Sequence, residues 1–174
     1  GLEFLGITIE SDGKQELCEG IGPVGDLDSI SPEDIRRIIR EAGMLGMGGA
    51  EFPTHVKLSL PQGVKVDTVV VNGGECEPYL TSDHKLMVEH AARVVHGTSI
   101  VMRSVGVKKA VIGVEDNKPD AVAALTEAAC KWQGIDVMPL KSSYPQGYEK
   151  AIIKATLGRE VPPGALPFSV GVVV

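Results

Sequence analysis

Val66-Asp67-Thr68-Val69-Val70-Val71-Asn72-Gly73-Gly74 decides the fold. A short β-branched run closed by Asn-Gly-Gly has the pattern of a strand covered on both faces. A strand so covered needs helices above and below it, and the chain supplies them in order. Residues 67–72 read as the first strand, 82–105 as a long helix, 109–115 as a second strand and 119–133 as a second helix. Residues 135–140 then read as a third strand, 147–157 as a third helix and 170–174 as a fourth strand. Strands alternating with helices of this length build βαβ units and a parallel sheet. The expected class is α/β, a largely parallel sheet with flanking helices, preceded by a short β segment.

That β segment is read over residues 2–10, which are β-prone and end at the Asp12-Gly13 turn signal. Residues 18–30 are rich in Gly, Pro and Asp and read as a linker. Ser31-Pro32-Glu33-Asp34 predicts a helix start: Ser31 caps, Pro32 suits the first helical position, and the acids favour the positive end of the dipole. Ile35, Ile38 and Ile39 make its apolar stripe and Gly43 its stop. A Gly-rich stretch follows at 43–49, then a short helical stretch from Phe52-Pro53-Thr54 to about Leu60. Two parts are expected: residues 1–29 as the tail of a preceding β domain with its linker, and residues 30–174 as the α/β domain. A start at Gly1 and a stop at Gly171-Val172-Val173-Val174 lead us to expect a piece of a longer protein.

Composition is ordinary for a folded chain of 174 residues, with 43% hydrophobic and 23% charged. Aromatics are only 4%, so Val, Ile, Leu and Ala must build the core, while 21 glycines point to tight turns or backbone held close to a ligand. The net charge of −6 arises entirely in residues 1–41, which hold ten acids and four bases against thirteen of each in the rest. With no basic excess, binding to nucleic acid or an anionic membrane through charge is not expected. Cys18, Cys76 and Cys130 form no Cys-x-x-Cys pair, so no metal ligands are assigned, and the sparse, odd count fits a reducing compartment. His84, His90 and His96 fall six residues apart, share no helix face at zinc-binding spacing, and read as surface or packing residues. No apolar run reaches membrane-spanning length.

Three segments sit where an open α/β sheet places ligand loops. Gly46-Met47-Gly48-Gly49-Ala50-Glu51-Phe52-Pro53-Thr54-His55-Val56-Lys57 has three glycines in four residues, letting amides converge on an anion, with Lys57 able to add charge. It reads equally as an interhelix turn, and it matches neither the dinucleotide fingerprint nor a Walker A loop. Asn72-Gly73-Gly74-Glu75-Cys76-Glu77-Pro78-Tyr79 follows the first strand. An acid there can accept from a ribose hydroxyl or a ring N–H, or the loop is solvated with Asn72 supporting a turn. Cys76 has no base beside it and reads as a structural thiol rather than a nucleophile. Tyr144-Pro145-Gln146-Gly147-Tyr148-Glu149-Lys150 precedes the third helix. There Tyr144 either meets a planar ligand or packs, and Glu149 either meets a ligand or only complements the helix dipole. Glu115-Asp116-Asn117-Lys118-Pro119 reads as a turn and cap at the second strand's end.

Together the segments resemble the C component of the Rnf electron-transport complex and, more distantly, the flavoprotein component of respiratory complex I. The likeness rests on Gly-x-Gly-Gly-Ala-x-Phe-Pro-Thr-x-x-Lys (46–57), Asn-Gly-Gly-Glu-Cys-Glu-Pro-Tyr (72–79) and Tyr-Pro-Gln-Gly (144–147). Residues 115–119 and Gly158-Arg159-Glu160-Val161-Pro162 add to it. The resemblance implies a Rossmann-like domain that binds FMN and NAD(H). It implies flavin contacts at Gly46, Gly48, Gly49, Ala50, Lys57, Asn72, Glu75, Tyr144, Gly147 and Glu149. It also implies that Phe52, Glu77 and Glu149 lie near the nicotinamide nucleotide. No side chain is expected to act as acid or base, because hydride transfer belongs to the cofactors. Met47 stands where complex I relatives carry arginine, and Tyr148-Glu149 where they carry two glutamates, departures that the Rnf component shares.

The function so implied is an FMN- and NAD(H)-binding module of an ion-translocating ferredoxin:NAD oxidoreductase, exchanging hydride between NAD(H) and FMN. Its electrons would pass to [4Fe–4S] clusters in the family's later region, none of them in this chain. Its partners would be the other Rnf subunits and, indirectly, ferredoxin, and its place the cytoplasmic side of the membrane as a peripheral component. Two alternatives stay open: a soluble electron-transfer protein of the same superfamily serving a cobalamin or amino-acid reductase, and a docking domain that has lost its cofactor.

Overall fold

A computed structural model describes residues 6–14, 16, 19, 20, 22, 25–47 and 50–174. Ser31 starts helix α1 (Pro32–Glu41) as its residue types require: its hydroxyl accepts from the Asp34 amide at 3.1 Å, and Ile35 and Ile39 are buried. Gly43 follows in the left-handed region at φ 64° and turns the chain away. A single antiparallel bridge, Leu45 to Pro53, closes the base of the Gly-rich loop before α2 (Thr54–Lys57).

The sheet contains β1 (Thr68–Gly73), β2 (Ala110–Glu115), β3 (Ile135–Leu140) and β4 (Val172–Val173) in the order β3-β2-β1-β4, all parallel. Helices α3 (Ser82–Glu89), α4 (Ala91–Val105), α5 (Pro119–Ala129) and α6 (Glu149–Leu157) connect the strands. Alternation along the strands separates two cores. Val69, Ile112 and Val114 face Ile35, Met87, Val95 and Leu125 from α1, α3, α4 and α5. Val70 and Val172 face Ile152 and Ile153 of α6. Gly113 is required here, because a Cβ on it would lie 2.9 Å from both Ile152 Cδ1 and Leu140 Cδ1. Fully buried Leu125 and Ile152 contribute about 1.5–3 kcal/mol each by transfer from water.

The strand order positions the site. The chain grows from β1 outward to β3, and α6 then carries it back to lay β4 on the opposite side of β1. In an open parallel sheet this reversal leaves a crevice beyond the carboxyl ends of the strands on either side of it.

The structure departs from the expected elements at several places. The helix expected over 82–105 is two helices, broken at His90 (φ −130°, ψ 32°). The His90 amide closes α3 on Leu86 O, while its carbonyl accepts from Arg93 and Val94 and opens α4. The break lets α3 bury Met87 over the end of β1, while α4 buries Val95 and Met102. The fourth strand keeps only two residues, because a 3-10 turn (Pro167–Val170) and left-handed Gly171 occupy its expected start. The second helix ends at Ala129, and the third begins at Glu149 after an extended Tyr148. Of the β segment expected over 2–10, residues 2–5 lie outside the described residues, and 6–10 form no strand. The turn after it is present: Ser11 Oγ and Asp12 Oδ1 accept the Gly13 and Lys14 amides.

Candidate cofactor cleft

A cleft of about 590 Å³ opens between α2, the 3-10 turn and the end of β4, within the usual range for small-molecule sites. One wall carries Ala50, Phe52, Val56 and Lys57, the other Leu166, Phe168 and Val173, and Glu149 reaches it from the first turn of α6. The lining is mostly apolar; besides these two charged groups only Ser59 brings a polar side chain, and its hydroxyl donates to His55 O at 2.7 Å. Neither Lys57 nor Glu149 makes an ion pair among the described residues. An apolar slot with one free ammonium fits a planar aromatic ligand that carries an anionic tail, and FMN is such a ligand.

Phe52 is held in place by backbone, since its carbonyl accepts from the Gly46 amide at 2.8 Å. Gly46 thus shapes the loop rather than lining the cleft. Gly48 and Gly49, the other glycines assigned to flavin, lie outside the described residues.

The loops after β1 and β3 meet beside Gly147. Asn72 Nδ2 donates to Gly147 O at 2.7 Å, and Asn72 Oδ1 accepts from the Gly74 amide at 3.1 Å. The Gly147 amide donates to Cys76 Sγ at 3.1 Å. The backbones lie so close that a Cβ on Gly74 would come within 3.0 Å of Gly147 Cα. Asn72 and Gly147 therefore meet each other instead of lining the cleft, and Cys76 holds a structural hydrogen bond.

Glu75 enters a different arrangement. Its Oε1 accepts from the Asp83 and His84 amides at 2.8 and 3.3 Å, capping α3. Its Oε2 lies 3.7 Å from Lys118 Nζ and has no hydrogen-bond partner. Lys118 Nζ donates to Glu115 Oε2, which also accepts from the Glu75 amide at 3.3 Å. The side chains of Glu75, Glu115 and Lys118 are 3%, 7% and 9% exposed, so two carboxylates and one ammonium are buried together. Nearby, partial desolvation raises the Asp83 carboxyl from its ordinary value, and repulsion from Glu75 and Glu77 adds to this.

Of the residues assigned from sequence, Ala50, Phe52, Lys57 and Glu149 share the cleft. Tyr144 is 85% exposed, and neither it nor exposed Glu77 lines it. Sequence alone does not mark the wall of Leu166 and Phe168, although Phe168 is one of only three phenylalanines. Nor does it mark Lys118 as a buried ion, because an acid and a lysine three residues apart at a strand end look like any turn.

Residues 39–174 match the family model described as the Nuo51 FMN-binding domain. Across all 174 residues the chain is 51% identical to the C component of the Na(+)-translocating ferredoxin:NAD(+) oxidoreductase complex of Acetobacterium woodii, covering 39% of that protein. It is 49% identical to the proton-translocating counterpart of Clostridium ljungdahlii, with 97% of this chain and 36% of that protein aligned. The C component of the ion-translocating oxidoreductase complex of Serratia proteamaculans is 40% identical over the whole chain, which covers 24% of it. The chain thus spans less than two fifths of the length of these relatives. Among solved structures, an NAD+-reducing [NiFe]-hydrogenase in the H2-reduced state shares the fold, with a TM-score of 0.64 at 23% identity. That match covers 83% of this chain and 30% of the other.

Proposed function

The chain belongs to the Nuo51 FMN-binding domain family and is homologous to part of the C component of Rnf-type ferredoxin:NAD oxidoreductase complexes, and from that premise we propose that its cleft holds FMN and serves electron exchange with NAD(H). The observation that carries the proposal is Lys57. It stands without an ion pair among the described residues, in a cleft whose walls include Phe52, Leu166 and Phe168. A cation left unpaired at an apolar slot has a use when an anionic ligand arrives.

In this reading Lys57 binds the phosphate with the amides of the Gly-rich loop. Phe52 offers an aromatic face to the flavin or the nicotinamide nucleotide, and Glu149 sets polarity at the mouth. Asn72, Gly147 and Cys76 fix the loops behind them, and Glu75 braces α3. When bound, FMN supplies the hydride and single-electron chemistry, and the protein supplies orientation, electrostatics and exclusion of water. The electrons pass to [4Fe–4S] clusters elsewhere in the complex. The module works with the other Rnf subunits, and indirectly ferredoxin, as a peripheral component at the cytoplasmic side of the membrane. No helix among the described residues is long and apolar enough to cross a membrane.

Titration of the full-length protein with FMN, followed by flavin fluorescence, tests the proposal. Saturable binding that a Lys57→Met variant weakens is the expected result. Absence of binding by the unsubstituted protein sinks it.

A further inference from the structure

We propose that Cys76 is a positioning residue for the cofactor cleft: its sulfur holds the Gly147 amide and so fixes the loop that delivers Glu149. The inference rests on the flavin reading. It begins with the strand order. β2 lies between β1 and β3, so no ladder hydrogen bond joins the strands whose loops meet at Gly147. What joins those loops is a clasp of side chains. Asn72 Nδ2 donates to the Gly147 carbonyl and Cys76 Sγ accepts from the Gly147 amide, so both polar groups of one residue are held by the end of β1 and the loop after it.

The space around Gly147 is filled by the same partners. A Cβ there would stand 2.8 Å from Cys76 Sγ and 2.9 Å from Gly74 O. Gly147 precedes Tyr148, whose carbonyl accepts from the Ile152 amide and so starts α6, and Glu149 is the first residue of that helix. Movement at the clasp therefore moves the only acid that lines the cleft among the described residues. Asn72 alone leaves the Gly147 amide free, and the sulfur supplies the second point that stops the peptide from rotating. In this reading a residue that invites a nucleophile assignment acts as an acceptor.

The test uses the full-length protein with Cys76→Ala, Cys76→Ser and, as reference, Lys57→Met. Flavin affinity is read by fluorescence, and opening of the Gly147 amide by hydrogen exchange. Loss of one hydrogen bond that orders a binding loop is expected to weaken FMN binding about five- to tenfold in Cys76→Ala. The hydroxyl of Cys76→Ser keeps an acceptor and restores affinity to within about twofold. The Gly147 amide exchanges faster in Cys76→Ala alone. Affinity in Cys76→Ala equal to the unsubstituted protein overturns the proposal, and so does a serine variant as weak as the alanine one. If Lys57→Met loses FMN while Cys76→Ala does not, the clasp fails and the flavin reading stands. If no FMN binds at all, the flavin reading fails, and with it the role of Cys76 in placing a cofactor. Gly147 exchange is then left to report the clasp alone: unchanged in Cys76→Ala, it removes that too.

Discussion

Lys57 and Lys118 are two lysines that the molecule treats in opposite ways. Lys118 is buried between Glu115 and Glu75, its charge consumed by neighbours on the adjoining loops. Lys57 stands exposed at the cleft with no ion pair among the described residues. Burying an ion is tolerable only when its partners are built in, whereas an ion kept for a ligand must stay reachable and unspent. The strand-end cluster is thus architecture, and on the proposed reading the cleft is where binding chemistry is held open.

The sharpest way to break this contrast is Lys118→Met, which leaves two buried carboxylates facing each other. A loss of about 3–5 kcal/mol is expected in urea denaturation. A loss no greater than that of an exposed lysine would mean the cluster is not structural. Lys57→Met should do the reverse, leaving unfolding unchanged while FMN affinity falls about ten- to a hundredfold, the weight of one charge-assisted contact.

Asp83 refines the comparison through pH. Its carboxyl is raised in the folded state by burial first and then by Glu75 and Glu77, so the native protein holds that proton more tightly than the unfolded chain. The stability this confers is fully present below the unfolded value of 3.8 and is lost as pH rises through the folded value. Asp83→Asn should therefore raise the melting temperature at pH 7, with the gain vanishing below about 3.8; a gain equal at both ends would assign it to something other than titration. Least affected should be Arg37→Ala, which breaks exposed pairs to Asp34 and Glu41 on α1 and should leave melting temperature and flavin affinity alike indistinguishable from the parent.

The parts legible in the sequence were those set by local rules. Ser31-Pro32 marks a helix start because capping needs only neighbouring residues, and Val69-Val70-Val71 marks a strand because burial on both faces removes the polar alternation. The His90 break was hidden because apolar periodicity runs through it, and tertiary packing rather than a Gly or Pro decides it. The Glu75–Lys118–Glu115 cluster was hidden for another reason: its members come from two loops, and only the sheet brings them together. The second wall of the cleft likewise depends on the reversal that places β4 beside β1.

That reversal has a mechanical consequence. β4 pairs with β1 through only two residues, and its approach is tied by the Asp67 amide donating to Gly171 O at 2.8 Å. The Asp67–Gly171 hydrogen bond lies just before the paired residues, at the start of the junction, where it can open locally. Because the cleft has α2 on one side and the end of β4 on the other, whatever fills it also rivets that border shut. Occupancy would then be readable far from any absorbance band, as slowed exchange of the Asp67 amide.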